Sequence, residues 1–399
     1  MIAGRLAAGV LTLAVAAPPA AGNAAAGGAA GMAAGSDCTP QRGTTSIGES
    51  WAQRRLNLPE VWRLTKGAGV TVAIVDSGVD TRHPQLKVAS SVDLTGTHGY
   101  DCVGHGTAVA GIIAGAEIRG VPFTGVAPRA KLISIKQTNE SNGDVGKLAQ
   151  GIVRAVELGA DVVNVSIQAA DQPDLKAAVD YALAQDVVVV AAAGNVQRSD
   201  GSAAPAYPAA YPGVLSVGSA GPEGGRADSS NASTPVSVLA PGTAVTAPWP
   251  GLAYREDLEG TSFAAPYVAG VAALVRARYP GLDQVRVRRR IELTADGASG
   301  SGTGAGMVNP LLAVSAILPE TVAIAPQDPA PLPPGAVRPA PAEDVRGISI
   351  AGRVALFSLS AAVLAALAGV VVPLGRRRGW RPGAQRPATR PASPQRSPL

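Results

Sequence analysis

Five short apolar runs, at residues 70–75, 132–136, 162–167, 187–192 and 214–218, constrain the fold of this 399-residue chain more than any other feature. Each is apolar at most positions rather than strictly at every second one. A strand with one wet face alternates, whereas a strand covered on both faces does not, so these runs belong to a parallel sheet between two helical layers. Helical patterns at 145–158 and 175–184 fall between the runs, as the crossover joining two parallel strands requires. The expected fold class is α/β, a doubly wound, mainly parallel sheet with helices on both faces.

The two ends of the chain read differently. Residues 1–26 carry Arg5, an uncharged apolar run, Pro18, Pro19 and Ala/Gly-rich sequence with Ala-x-Ala sites, the pattern of a secretory signal peptide. An N-terminal extension, 27–50, precedes the folded domain at 51–318. Residues 319–346 form a linker in which eight prolines fall between Pro319 and Pro341. A transmembrane helix is expected at 347–374. Its core, 354–374, has 21 residues without a charge, and at about 1.5 Å per residue it spans a hydrocarbon layer of roughly 30 Å. Arg376, Arg377 and Arg378 follow at once, and the tail 375–399 adds Arg381, Arg386, Arg390 and Arg396. Such charge stays on the cytoplasmic side, which puts the folded domain on the outer face of the cell membrane.

The net charge of +5 is concentrated in that anchor region, because residues 6–337 carry 23 basic and 27 acidic side chains. Nucleic-acid binding loses its electrostatic footprint, and Arg288, Arg289 and Arg290 read as a solvated helix face. Cys38 and Cys102 are the only cysteines. In an exported chain an even count reads as one disulfide, the alternative being two free thiols. Cys38 lies too far beyond the apolar run to be a lipidation site.

Asp76 ends the run 70–75, and in an open α/β sheet functional side chains gather beyond the carboxyl ends of strands. A turn aspartate before Gly78 is the alternative. His105 lies between Gly104 and Gly106 at the start of a small-residue helix, whereas His83 and His98 read as structural. Ser262, in Gly260-Thr261-Ser262-Phe263-Ala264-Ala265-Pro266, precedes a helix expected at 263–276 with Pro266 in its first turn. Free N–H groups there favour the negative charge that develops on an attacked carbonyl oxygen. An isolated Thr-Ser would as readily be a helix cap, and the upstream Asp76 and His105 decide for a nucleophile. The run 187–192 leads to Asn195, an uncharged amide donor of the kind an oxyanion hole uses.

With Gly125-Val126-Ala127-Pro128 and residues 207–214 and 304–310, these motifs resemble the subtilisin-like serine peptidases, or subtilases, over about residues 51–316. The resemblance implies a subtilisin-like fold with Ser262 as nucleophile, His105 as general base and then acid, and Asp76 orienting the imidazole. It implies an oxyanion hole from Asn195 and the Ser262 N–H. Substrate contacts follow at Ser166, Ile167, Gln168, Ala192, Ala193 and Gly194. Gln168 stands where the family tends to carry glycine, and its side chain is expected either to narrow the first specificity pocket or to hinder strand-like pairing of a substrate with the edge, which suits selective cutting. The short extension, the Cys38–Cys102 pair, residues 51–56, the linker and the anchor are similar to the mycosins, membrane-bound subtilases of type VII secretion systems. That similarity implies limited proteolysis of secreted protein or peptide substrates and association with a secretion complex. A structural role in such a complex, with dispensable catalysis, is the second reading. No cofactor and no metal are expected, since no EF-hand-like run of aspartates occurs.

Overall fold

The computed structural model describes residues 38, 40–140, 143–196, 204–297, 300–318, 373–375, 377 and 379. The chain divides into two units, Met1–Pro319 and Glu320–Leu399. Of the second, only residues 373–375, 377 and 379 are described. The expected signal peptide and linker, and all but the last two residues of the 354–374 core, lie outside the described residues. No described helix is long and apolar enough to cross a membrane.

In chain order the first unit holds α1 (Trp51–Arg55), α2 (Leu58–Trp62), β1 (Thr71–Asp76), β2 (Val88–Asp93), α3 (His105–Ala114), β3 (Lys131–Lys136), α4 (Val145–Glu157), β4 (Val162–Val165), α5 (Pro173–Ala184) and β5 (Val188–Ala192). There follow β6 (Leu215–Ala220), β7 (Val238–Pro241), β8 (Val245–Trp249), β9 (Ala253–Leu258), α6 (Thr261–Arg278), α7 (Gln284–Leu293) and α8 (Pro310–Ser315). Seven strands form one sheet in the order β2-β3-β1-β4-β5-β6-β7, every neighbouring pair parallel. The order turns between β1 and β4, so the carboxyl ends of these two strands open a crevice.

Successive residues of the central strands enter different cores. Val72, Ile74, Leu132, Val162 and Val190 pack with α3 and α6, while Ala73, Val75, Ile133, Val163 and Val189 pack with α4 and α5. Full burial of one such side chain contributes roughly 1.5–3 kcal/mol. This burial outweighs the poor helix propensity of Gly- and β-branched-rich α3. Helix α4 shows the local logic: Asp144 caps it by accepting from the Lys147 N–H at 2.9 Å, and Leu148, Ile152 and Ala155 turn one stripe inward.

Three expectations change. Helix α6 begins at Thr261, capped by Gly260, so Ser262 lies inside its first turn and Pro266 falls in the second. Proline there has no N–H to return to the Ser262 carbonyl, which leaves that oxygen without its helical partner. The triple arginine is not a solvated face, because Arg290 is only 8% exposed. Its guanidinium donates to the Ala313 and Ala316 carbonyls and stacks 4.2 Å from the Tyr279 ring centre, pinning α8 to α7. Strand β4 stops at Val165, so residues 166 and 167 follow the strand as loop.

Cys38 and Cys102 are joined by a disulfide. Beyond Cys38 the chain lies along the β8–β9 hairpin. The Gln41 carbonyl accepts from Trp249 Nε1 at 2.6 Å, Thr44 and Tyr254 exchange two backbone bonds at 2.8 Å, and the Gly48 N–H reaches Glu256 at 2.8 Å. The cross-link spans 64 residues, for which loop entropy gives about 4 kcal/mol. Replacing both cysteines by serine is therefore expected to lower the unfolding free energy, read from denaturant titration, by about that amount. An unchanged unfolding free energy would show that the strap's hydrogen bonds suffice alone.

Candidate active site

Asp76 is the last residue of β1 and is 1% exposed. Its Oδ1 accepts from the Ser77 N–H at 2.8 Å and from His105 Nδ1 at 2.8 Å, while Oδ2 has no hydrogen-bond partner among the described residues. His105 opens α3, and two glycines make this approach feasible. Gly104 has φ +92, and a Cβ there would stand 2.3 Å from the Trp249 ring; at Gly106 a Cβ would meet the Gly78 carbonyl at 2.1 Å. The imidazole keeps 22% of its side chain exposed and packs 5.1 Å from the Phe263 ring. Burial pulls its pKa down, but the Asp76 charge and hydrogen bond, helped by Asp101, raise it above the ordinary histidine value.

One cleft of about 440 Å³ brings Asp76, His105, Asn195 and Ser262 together, with Ser166, Ile167, Gln168, Ala192 and Gly194 along its wall. Ala193 does not line it. Strand alternation turns Ala193 away, fully buried, with its N–H on the Val217 carbonyl at 2.9 Å. His83 is buried with Nε2 3.2 Å from the Ala253 carbonyl, a structural position, and His98 stands beside Cys102.

Asn195 is held by a residue that motif reading passed over. Its Oδ1 accepts from the Thr261 N–H at 3.0 Å and the Thr261 hydroxyl at 3.1 Å, which reserves Nδ2 as the free donor. A Cβ at Gly260 would lie 3.0 Å from that Nδ2 and 3.4 Å from Ser262 Oγ, so amide and hydroxyl flank one point. Gln168 Oε1 accepts the Asn195 N–H at 3.2 Å and covers Gly194. The glutamine therefore lies folded against the cleft wall. Thr261 was visible in the sequence only as the residue before Ser262, with no sign that it would turn towards Asn195.

This arrangement has the parts for acyl transfer: a hydroxyl, an imidazole backed by a carboxylate, and an amide donor. The Peptidase_S8 profile, described as the Subtilase family, matches residues 67–309. The chain belongs to the subtilase family. It is accordingly a serine protease with the subtilisin-like α/β fold. Subtilisin DY of Bacillus licheniformis is 40% identical over 249 residues, covering 61% of this chain and 90% of that protein. Mycosin-4 of Mycobacterium tuberculosis is 38% identical across an alignment of 381 residues, covering 82% of this subtilase and 81% of its relative. Among solved structures, MycP1 from the ESX-1 type VII secretion system superposes with a TM-score of 0.63 at 31% identity, over 72% of this chain and 91% of that one. Similarity to Mycosin-4 thus extends further along this subtilase than similarity to Subtilisin DY.

Proposed function

We propose that this chain is a membrane-anchored endopeptidase that cleaves peptide bonds of secreted proteins through Ser262, His105 and Asp76. The 2.8 Å pairing of His105 with buried Asp76, in one cleft with Ser262 and Asn195, carries the reading. His105 Nε2 takes the Ser262 proton as Oγ attacks the carbonyl carbon. The tetrahedral oxyanion is met by Asn195 Nδ2 and the Ser262 N–H. His105 then delivers the proton to the departing amine, leaving an acyl-enzyme, and water reverses the sequence to release the acid. Asp76 holds the imidazole by Nδ1 and stabilises its charged form.

Ser166, Ile167, Gln168, Ala192 and Gly194 are the substrate contacts in this reading, and the folded Gln168 favours selective cuts over general digestion. The layout follows the sequence: signal peptide 1–26, extension 27–50, peptidase domain 51–318, linker 319–346, membrane helix 347–374 and cytoplasmic tail 375–399. Likeness to Mycosin-4 and MycP1 supports a place at a type VII secretion system. A second reading, a complex component whose catalysis is dispensable, is supported by the strap, whose described residues 40–50 rest on the hairpin through the Gln41–Trp249, Thr44–Tyr254 and Gly48–Glu256 bonds.

A fluorophosphonate is expected to form one adduct, at Ser262, in the full-length protein; absence of labelling in folded protein would overturn the enzyme reading. Asn195→Ala is expected to lower kcat by about 10²–10³ with little change in KM, the range known for the equivalent donor in subtilisin. A change confined to KM would remove Asn195 from the oxyanion hole.

A further inference from the structure

A second carboxylate lies behind the histidine, and neither the motif reading nor the acyl-transfer scheme assigns it a role. Asp101 is fully buried. Its Oδ1 accepts from the Ser77 hydroxyl at 2.9 Å, the Val103 N–H at 3.0 Å and the Gly104 N–H at 2.8 Å. Its Oδ2 accepts from the Thr107 N–H at 2.8 Å and the Thr107 hydroxyl at 2.7 Å. Three of these five donors are backbone groups of the segment that begins α3, so Asp101 fixes the turn from which His105 projects.

We propose that Asp101 is a positioning residue for the reaction, holding the Asp76–His105 pair in its working geometry and charge state through Ser77 and the first turn of α3. The inference rests on the catalytic reading of Ser262 and His105 given above. Ser77 makes the link. Its hydroxyl oxygen stands 2.9 Å from Asp101 Oδ1 and 3.2 Å from Asp76 Oδ1, and it accepts the Gly106 N–H at 3.0 Å. A hydroxyl has one proton to give. The shorter contact sends it to Asp101, so Asp76 Oδ1 keeps its charge for the imidazole instead of sharing it with the serine.

Two carboxylates act on His105, Asp76 from β1 and Asp101 from the loop before α3, while α6 offers the uncharged Phe263 ring. Glu140, after β3, and Glu259, before α6, line the same cleft. Lys136, buried at the end of β3, faces Asp101 electrostatically and donates to the Tyr100 carbonyl at 2.5 Å. Loss of the Asp101 charge acts on His105 twice in one direction. It removes an anion that favours the imidazolium, and it frees the Ser77 proton to turn onto Asp76.

The test uses the full-length protein and needs no identified substrate. The second-order rate of inactivation by a fluorophosphonate is measured against pH for wild type, Asp101→Asn and Asp101→Ser. The asparagine places an N–H₂ against groups that are themselves donors, whereas the serine leaves room for water to accept from them, so a folding failure of the first leaves the second to carry the test. Both variants are expected to move the acid limb down by about half a unit, less than the roughly one to three units of a directly paired charge. The plateau rate should fall on the order of tenfold. Adding Ser77→Ala to either variant should return part of the shift, a response that mere loss of packing does not produce. If wild type reacts while the acid limb of a folded variant stays in place, the role of Asp101 is overturned. If wild type itself fails to react, the catalytic reading falls first.

Discussion

Ser262→Ala is expected to lower kcat by about 10⁶, the loss known for the corresponding serine of subtilisin, while fold and melting temperature stay near those of wild type. The stability expectation follows from position: Ser262 lies in the first turn of α6, where alanine is a better helix former than serine, and the protein gives its hydroxyl no structural hydrogen bond among the described residues. The same variant separates the two functional readings. Peptides released by cells carrying wild type or Ser262→Ala, compared by mass spectrometry in a strain without the native protein, should show a secreted substrate retained at full length. Normal export in those cells would assign assembly to the body of the protein and cutting to its serine. Unchanged processing of every secreted protein would falsify the endopeptidase reading.

Asp76→Asn is expected to cost about 10⁴ in kcat. The carboxamide cannot satisfy the site in either orientation. With its oxygen at the Oδ1 position it retains the Ser77 and His105 donors but buries an N–H₂ where Oδ2 has no partner; reversed, it sets that N–H₂ against the Ser77 N–H and holds the imidazole in the tautomer whose Nε2 already carries a proton and cannot take one from Ser262. Either way the negative charge is gone. Since Asp76 raises the His105 pKa, the acid limb of kcat/KM should move to lower pH in the variant even as the plateau drops. An acid limb that moved upward would mean that Asp76 does not act on His105 as a charge.

The parts of this architecture that were legible in the sequence are those written in contiguous residues. Strands β1, β3, β4, β5 and β6 announced themselves because both their faces are buried, and the Asp76, His105 and Ser262 motifs because small residues crowd around them. Strand β2 escaped: it is an edge strand, Val88-Ala89-Ser90-Ser91-Val92-Asp93, half exposed along its length, and its serines blur the apolar signal. The β8–β9 hairpin escaped for a related reason, with Pro248 in one strand and Arg255, Glu256 and Asp257 in the other. Long-range polar contacts carry no local pattern at all. Thr261 meets Asn195 across 66 residues and Asp101 meets Ser77 across 24, so neither partnership could be read from either neighbourhood. Arg290 misled because a run of three arginines describes composition, whereas helix periodicity decides which of the three faces inward.

The disulfide between Cys38 and Cys102 turns the first stretch of the domain into a covalent ring. Asp76 lies inside that ring; His105 and Ser262 lie outside it. A single backbone cut among the exposed residues 41–46 would therefore release nothing. The nicked protein would migrate as one species on a gel until a reducing agent opened the ring, and only then would the fragment bearing Asp76 separate, by mass, from its own N-terminus. A cut in this segment therefore has to be followed on reducing gels, because a non-reducing gel shows one species whether or not the chain has been cut.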